Sequence, residues 1–148
     1  MSEFRFYHPI EVRYGDLDPQ GHVNNAKYLT YIEQARIEYI NTLDLWDGDS
    51  FLDIGIILAD AHITFQASIM FGQRVRAGVR VSRLGNKSLT MVYRLEVINS
   101  GEELASASTV LVAYDYRSKQ TIPIPPKWRQ VIAAFEHLAE ETANGEQA

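Results

Sequence analysis

The sequence predicts an α+β fold in which one long helix covers an antiparallel sheet. Three observations predict it. Between Asn25 and Leu45, the residues Tyr28, Leu29, Ile32, Ala35, Tyr39, Ile40 and Leu43 recur at i, i+3, i+4 spacing and form one wide apolar stripe. Two neighbouring segments, Gln73 to Leu84 and Ser88 to Ile98, alternate apolar and polar residues with period two, as half-buried strands do. The order is a strand, a helix, then four strands joined by short turns, which excludes a βαβ repeat.

Taken in order, Ile10, Val12 and Tyr14 alternate with Glu11 and Arg13 and read as a short first strand, with Pro9 at its start, where proline is tolerated. Gly15 to Gly21 is dense in turn residues. Asn24 or Asn25 then supplies an N-cap for the helix. Asp47-Gly48-Asp49 ends that segment. Ile56 to Phe65 is a mixed apolar run of strand length. Val75, Ala77, Val79 and Val81 mark one face of the next strand, and Arg74, Arg76, Arg80 and Ser82 the other. Gly85-Asn86-Lys87 is a hairpin turn, and Asn99-Ser100-Gly101-Glu102 is another. Leu104 to Tyr116 is a long final strand. Pro123, Pro125 and Pro126 break the pattern before an amphipathic helix from Trp128 to Ala139, and a frayed polar tail is expected from about residue 140. There is no internal repeat or linker, so residues 1–148 read as one domain.

Composition narrows the functional classes. The chain has 148 residues, 46% of them hydrophobic, and a formal net charge of -5. That charge argues against a broad nucleic-acid surface, which needs clustered cations. The one dense basic stretch is Arg74, Arg76, Arg80, Arg83 and Lys87, and a solvated strand face explains it as readily as an anion site does. There is no cysteine, which excludes disulfides, thiolate metal sites and a cysteine nucleophile. No apolar run approaches the ~20 residues that span a bilayer, and the first residues lack the pattern of a signal peptide, so a cytoplasmic location is expected.

The stretch from Asp16 to Tyr28 packs two acids, an imidazole and three amides into the loop that enters the helix. A calcium loop is excluded, because the position that should hold a bidentate Glu is Lys27. Two readings remain open on the residues alone. Asp18 can close an Asx-turn. It can equally act as base or nucleophile beside a helix N-terminus whose free N–H groups hold a developing oxyanion, with His22 able to exchange a proton near neutral pH.

The run Val12-Arg13-Tyr14-Gly15-Asp16-Leu17-Asp18-Pro19-Gln20-Gly21-His22-Val23-Asn24-Asn25-Ala26-Lys27-Tyr28-Leu29 resembles the signature of the 4-hydroxybenzoyl-CoA thioesterase-like acyl-CoA thioesterases. Glu33-Gln34-Ala35-Arg36, Phe71-Gly72-Gln73 and Arg83-Leu84-Gly85-Asn86-Lys87-Ser88 extend the likeness over nearly the whole chain. Gln73 departs from the acid that often follows this glycine. The resemblance implies a hotdog fold, a five-stranded antiparallel sheet wrapped around one long central helix, here with an added C-terminal helix. It implies hydrolysis of a fatty or aromatic acyl-CoA to free acid and coenzyme A, with no metal or organic cofactor.

On that likeness the catalytic acid falls on Asp18, the oxyanion-binding N–H near Asn24 and Asn25, and orienting roles on His22 and Asn25. Coenzyme A, an anion, requires local cations on an acidic chain. The hairpin residues Arg83, Asn86, Lys87 and Ser88 are the candidates. Action on acyl carrier protein thioesters, or a non-catalytic acyl-CoA-binding subunit, are the alternatives. A homodimer or homotetramer is expected, paired along an open sheet edge placed at Gln73 to Leu84 or its neighbour. Glu33 is read as pairing with Arg36 or facing the site, and Tyr28 and Tyr39 as core residues.

Overall fold

The structure is a computed structural model that describes residues 3–138. The tail expected beyond residue 140, and the last residue of the expected C-terminal helix, lie outside that range. The elements are β1 (Phe6–Ile10), α1 (Asn25–Thr42), β2 (Ile56–Phe65), β3 (Val75–Leu84), β4 (Ser88–Val97), β5 (Glu103–Asp115), β6 (Gln120–Thr121) and α2 (Pro126–Glu136). The strand order is β1-β3-β4-β5-β2, and the two-residue β6, which the sequence did not signal, pairs with β5. Residues 73–84 are therefore an interior strand, and the edges are β1 and β2. The described residues group into two compact units, one of residues 3–39, 63–79 and 93–107, the other of residues 40–62, 80–92 and 108–138.

In the first unit, α1 buries Tyr28, Tyr31, Ile32, Ala35 and Tyr39, while Val75, Ala77 and Val79 of β3 and Tyr93 and Leu95 of β4 are buried on their own strands. Tyr28 and Tyr39 are core residues as expected. Two positions depart from the expected stripe. Leu29 is 43% exposed, and Tyr31 is buried in its stead because its hydroxyl has a buried partner. Arg36 is also buried. Its Nε donates to the Tyr93 hydroxyl at 3.0 Å, and exposed Glu33 makes no ion pair with it.

The first strand lies earlier than its alternation predicts. Phe6 to Ile10 pairs antiparallel with Val79 to Val75, and Tyr14–Asp16 is a turn of 3-10 helix. The cause is local. The Asp16 carboxylate accepts the Arg13 N–H at 3.1 Å and curls the chain, and a side chain that bonds its own backbone in this way competes with ladder pairing. Across this first unit's outer surface, Arg76 bonds Glu96 at 2.6 Å and lies 3.7 Å from the Tyr7 ring centroid. Part of the basic stretch is thus committed to structure.

In the second unit, α1 closes at Thr42 rather than Leu45. Asp44 takes a left-handed conformation (φ 60°) and the Leu45 N–H returns to the Ile40 carbonyl at 3.0 Å, a C-terminal cap that comes before the turn residues of the sequence. The Gly85-Asn86-Lys87 turn forms as expected, with Gly85 N–H donating to the Ser88 carbonyl at 2.7 Å. Trp128 and Ile132 of α2 are buried, and the Trp128 indole donates to the Leu45 carbonyl. Buried Glu136 accepts the N–H of Val81 at 3.0 Å. Pairing with β1 stops at Val79, so this carboxylate satisfies a backbone donor that β1 leaves open.

One close approach sets a limit on substitution. A Cβ at Gly78 would lie 2.8 Å from Cγ of buried Phe4. Gly78→Ala is expected to destabilise the protein by about 1–3 kcal/mol through overpacking, measured by urea denaturation. A Phe4→Leu change in the same background should recover part of that loss.

Candidate active site

The loop from Arg13 to Asn25 is organised by one carboxylate. Asp16 has no exposed surface. Its Oδ2 accepts the Tyr31 hydroxyl at 2.7 Å and the Arg13 N–H at 3.1 Å, and its Oδ1 pairs with the Arg13 guanidinium at 3.2 Å. Its carbonyl accepts the Asn24 N–H at 2.8 Å. Burial opposes the ionised form, but the hydrogen bonds from Tyr31 and Arg13 outweigh it and hold the carboxyl below the usual range. Burial, then the neighbouring Asp16, pushes the Tyr31 phenol up. Tyr31 therefore stays a donor at any ordinary pH.

Asp18 differs from Asp16 in every respect that matters to chemistry. It is half-buried, and both of its bonds, from Gln20 N–H at 2.9 Å and His22 N–H at 3.1 Å, go to Oδ1. Oδ2 has no partner among the described residues. The backbone fixes the carboxylate twice more, through Asp18 N–H to the His22 carbonyl at 2.7 Å and Gly21 N–H to the Asp18 carbonyl at 3.0 Å. Gly21 lies at φ 84°, a conformation that favours glycine. So the Asx-turn reading holds for one oxygen of Asp18, and the other oxygen is left open.

The helix start has a matching open donor. Asn24 is the N-cap: its Oδ1 accepts the Ala26 N–H at 2.9 Å and its carbonyl the Lys27 N–H at 2.8 Å. Its own N–H is spent on Asp16. The Asn25 N–H alone in this first turn has no acceptor among the described residues. Of the two positions expected to supply an oxyanion donor, only Asn25 has a free amide. The structure thus brings Asp18, His22 and Asn25 into one loop and helix start. His22 is half-buried, its imidazole has no hydrogen-bond partner among the described residues, and its backbone bridges to Met70. Met70 and its neighbour Phe71 are exposed apolar residues.

The remaining candidates lie in the second unit. Lys87 is exposed and reaches the Thr121 hydroxyl at 3.4 Å, Asn86 is exposed, and Arg83 and Ser88 are half-exposed. Arg129 was not foreseen. From α2 its Nη2 donates to the Gly85 carbonyl at 2.7 Å and braces the turn. One arginine on the polar face of an amphipathic helix gives no sequence signal for such a contact. Asp16 and Tyr31 were likewise missed as organisers, although the Asp16-Leu17-Asp18 doublet was legible.

Residues 12–134 match the family model of the thioesterase-like superfamily. The chain belongs to that superfamily. It is similar to a thioesterase of Thermus thermophilus whose crystal structure was solved with coenzyme A and zinc, at 34% identity, a TM-score of 0.81, and coverage of 93% of this chain and 98% of that one. Among curated proteins it is 25% identical over 123 residues to the long-chain acyl-CoA thioesterase FadM of Escherichia coli, covering 82% of this chain and 92% of that protein. It is 24% identical over 140 residues to the acyl-CoA thioesterase YbgC of Haemophilus influenzae, covering 93% and 99%. The fold is the hotdog that the motif implied, and the chain is a thioester hydrolase. No helix among the described residues is long and apolar enough to cross a membrane.

The Asp16 network makes a pH-dependent prediction. Its folded pKa lies below the unfolded value of about 3.9, so its contribution is present above that value and is lost as pH falls through the lower folded one. Asp16→Asn is expected to cost about 1–3 kcal/mol at pH 7. The gap between the two proteins should narrow below pH ~4, read from denaturation midpoints across pH. An equal gap at pH 7 and at pH 2.5 would contradict the assignment.

Proposed function

We propose that the chain hydrolyses acyl-CoA esters, fatty or aromatic, to free acid and coenzyme A as one hotdog domain. The observation that carries this reading is that one braced loop and helix start hold two groups with no partner among the described residues, Oδ2 of Asp18 and the N–H of Asn25. The thioester carbonyl oxygen accepts the Asn25 N–H at the positive end of α1, where the negative charge of a tetrahedral intermediate is stabilised. Asp18 either removes a proton from the attacking water or attacks the carbonyl itself to give a mixed anhydride. His22 orients substrate or water. Exposed Met70 and Phe71 beside His22 offer apolar contact to the acyl or pantetheine portion. The names of the similar proteins support coenzyme A as the carrier.

The 4-hydroxybenzoyl-CoA-like subtype is the finer reading, and it rests on the motif. The Arg83 to Ser88 hairpin binds the phosphates of coenzyme A. We propose a cytoplasmic homodimer, assembling further to a homotetramer, because a ten-residue edge strand is otherwise left bare.

Two measurements test this reading. Asp18→Asn keeps an acceptor for the Gln20 and His22 amides while removing the charge, so it should lower kcat by at least ~10²-fold with little change in Tm. Native-like turnover would end the mechanism. Arg83→Ala with Lys87→Ala should raise KM for acyl-CoA, weaken its salt dependence, and spare thioesters lacking the nucleotide. An equal loss on both substrate types would place the nucleotide elsewhere.

A further inference from the structure

Arg129 reaches the β3–β4 turn from α2, and the acceptors it meets there are main-chain oxygens. Its Nη2 donates to the Gly85 carbonyl at 2.7 Å and to the Asn86 carbonyl at 3.3 Å. The Asn86 carbonyl also accepts the Ile124 N–H at 3.0 Å, and the Lys87 carbonyl accepts the Ala113 N–H of β5 at 2.8 Å. Three consecutive carbonyls of the turn are thus held by donors from β5, α2 and the segment between them. The Nη1 of Arg129 is buried and has no hydrogen-bond partner among the described residues. A buried donor left open is costly, so packing alone does not account for an arginine at this position.

In a trans peptide the carbonyl of one residue and the N–H of the next point in opposite directions. Arg129 grips the carbonyls of Gly85 and Asn86, so it turns the amides of Asn86 and Lys87 away from α2. Both residues are exposed, and neither amide has an acceptor among the described residues. The Gly85 amide, by contrast, is spent on the Ser88 carbonyl at 2.7 Å. Successive main-chain amides open on one side of a turn make an anion site. A phosphate offers each of them a separate oxygen.

We infer that Arg129 is a positioning residue for the substrate: by holding two carbonyls it aims the Asn86 and Lys87 amides at a phosphate of coenzyme A. This rests on the hairpin contact of the proposed function and goes beyond it. The Arg83 and Lys87 side chains supply charge to that contact. The amides supply direction, and the direction depends on a residue of α2 that touches no substrate.

The test uses one acyl group on three carriers: coenzyme A, dephospho-coenzyme A, which lacks the ribose phosphate, and pantetheine, which has no phosphate. Arg129→Ala should raise KM for acyl-CoA about tenfold or more, the scale of one hydrogen bond to a charged group. It should leave kcat, and KM for acyl-pantetheine, within about twofold of native. Arg129→Lys keeps the charge, but its stem ends one bond short of Nη2, so it should behave as the alanine variant does. A rise that persists on the dephospho ester puts the pyrophosphate on the amides, and a rise lost there puts the ribose phosphate on them. A native KM in Arg129→Lys would show that charge, not aim, is at work, and would overturn the inference. So would an equal loss of kcat on all three esters in Arg129→Ala. If Arg83→Ala with Lys87→Ala raises KM for acyl-CoA while neither Arg129 variant does, the hairpin contact stands and the role of Arg129 falls. If that double variant has no effect either, both fall. The native chain gives a reading independent of how the variants fold. Its Asn86 and Lys87 amide proton resonances should move on addition of coenzyme A and not of pantetheine, and amides unmoved by coenzyme A would overturn the inference.

Discussion

The candidate site depends on the burial of one ionised carboxylate. Asp16 has no exposed surface, yet its hydrogen bonds keep it charged. A buried charge is tolerated only when fully partnered, and here Arg13 and Tyr31 partner the carboxylate while Asn24 holds the backbone of the same residue. Arg13 closes the turn before the loop, Tyr31 ties the loop to α1, and the Asn24 amide ties the Asp16 backbone to the helix start. With both ends of the loop held, the segment between them, which includes Asp18, has little freedom. The doublet of acids thus divides its labour: one is spent inside to hold geometry, and the other keeps an oxygen open.

The same division runs through the cations. The chain is acidic overall, so each arginine spent on structure is unavailable to an anionic ligand. Arg36 is buried against Tyr93, Arg76 holds the buried Glu96, and Arg129 braces the β3–β4 turn through its carbonyl oxygens. Near the turn, the Arg83 side chain has no partner among the described residues, and exposed Lys87 reaches the Thr121 hydroxyl at 3.4 Å. A local patch on a negative chain attracts phosphates at short range and is screened beyond about a Debye length, ~8–10 Å at ordinary salt.

Much of the fold was legible because its signals are periodic. The two-residue alternation of β3 and β4, with Gly85-Asn86-Lys87 between them, determined those strands, their turn and their buried face before any coordinates. Five strands and two helices follow from the same kind of pattern, and the ordered motif from Val12 to Leu29 determined the superfamily and the position of Asp18. Where the pattern misled, a specific bond had overridden it. Alternation through Ile10 to Tyr14 predicted a strand that the Asp16 carboxylate converts to a turn, and Leu29 yields its place in the core to Tyr31 because a phenol can satisfy a buried carboxylate and a leucine cannot.

The sequence by itself determined the element types, the loop that carries chemistry and the acids within it. Only the tertiary structure decided which acid is buried, which helix-start amide is left free, and which strands are the edges. Periodicity reports how a segment meets the core, since that is a property of consecutive residues. Tyr31 meets Asp16 across 15 positions, and the Arg129 Nη2 meets the Gly85 carbonyl across 44. Such partners are fixed by how separated segments pack, and no local pattern encodes them. The edge position of β2 is of the same kind: its mixed apolar run gives a strand length but no place in the sheet, and strand order alone puts it at an edge.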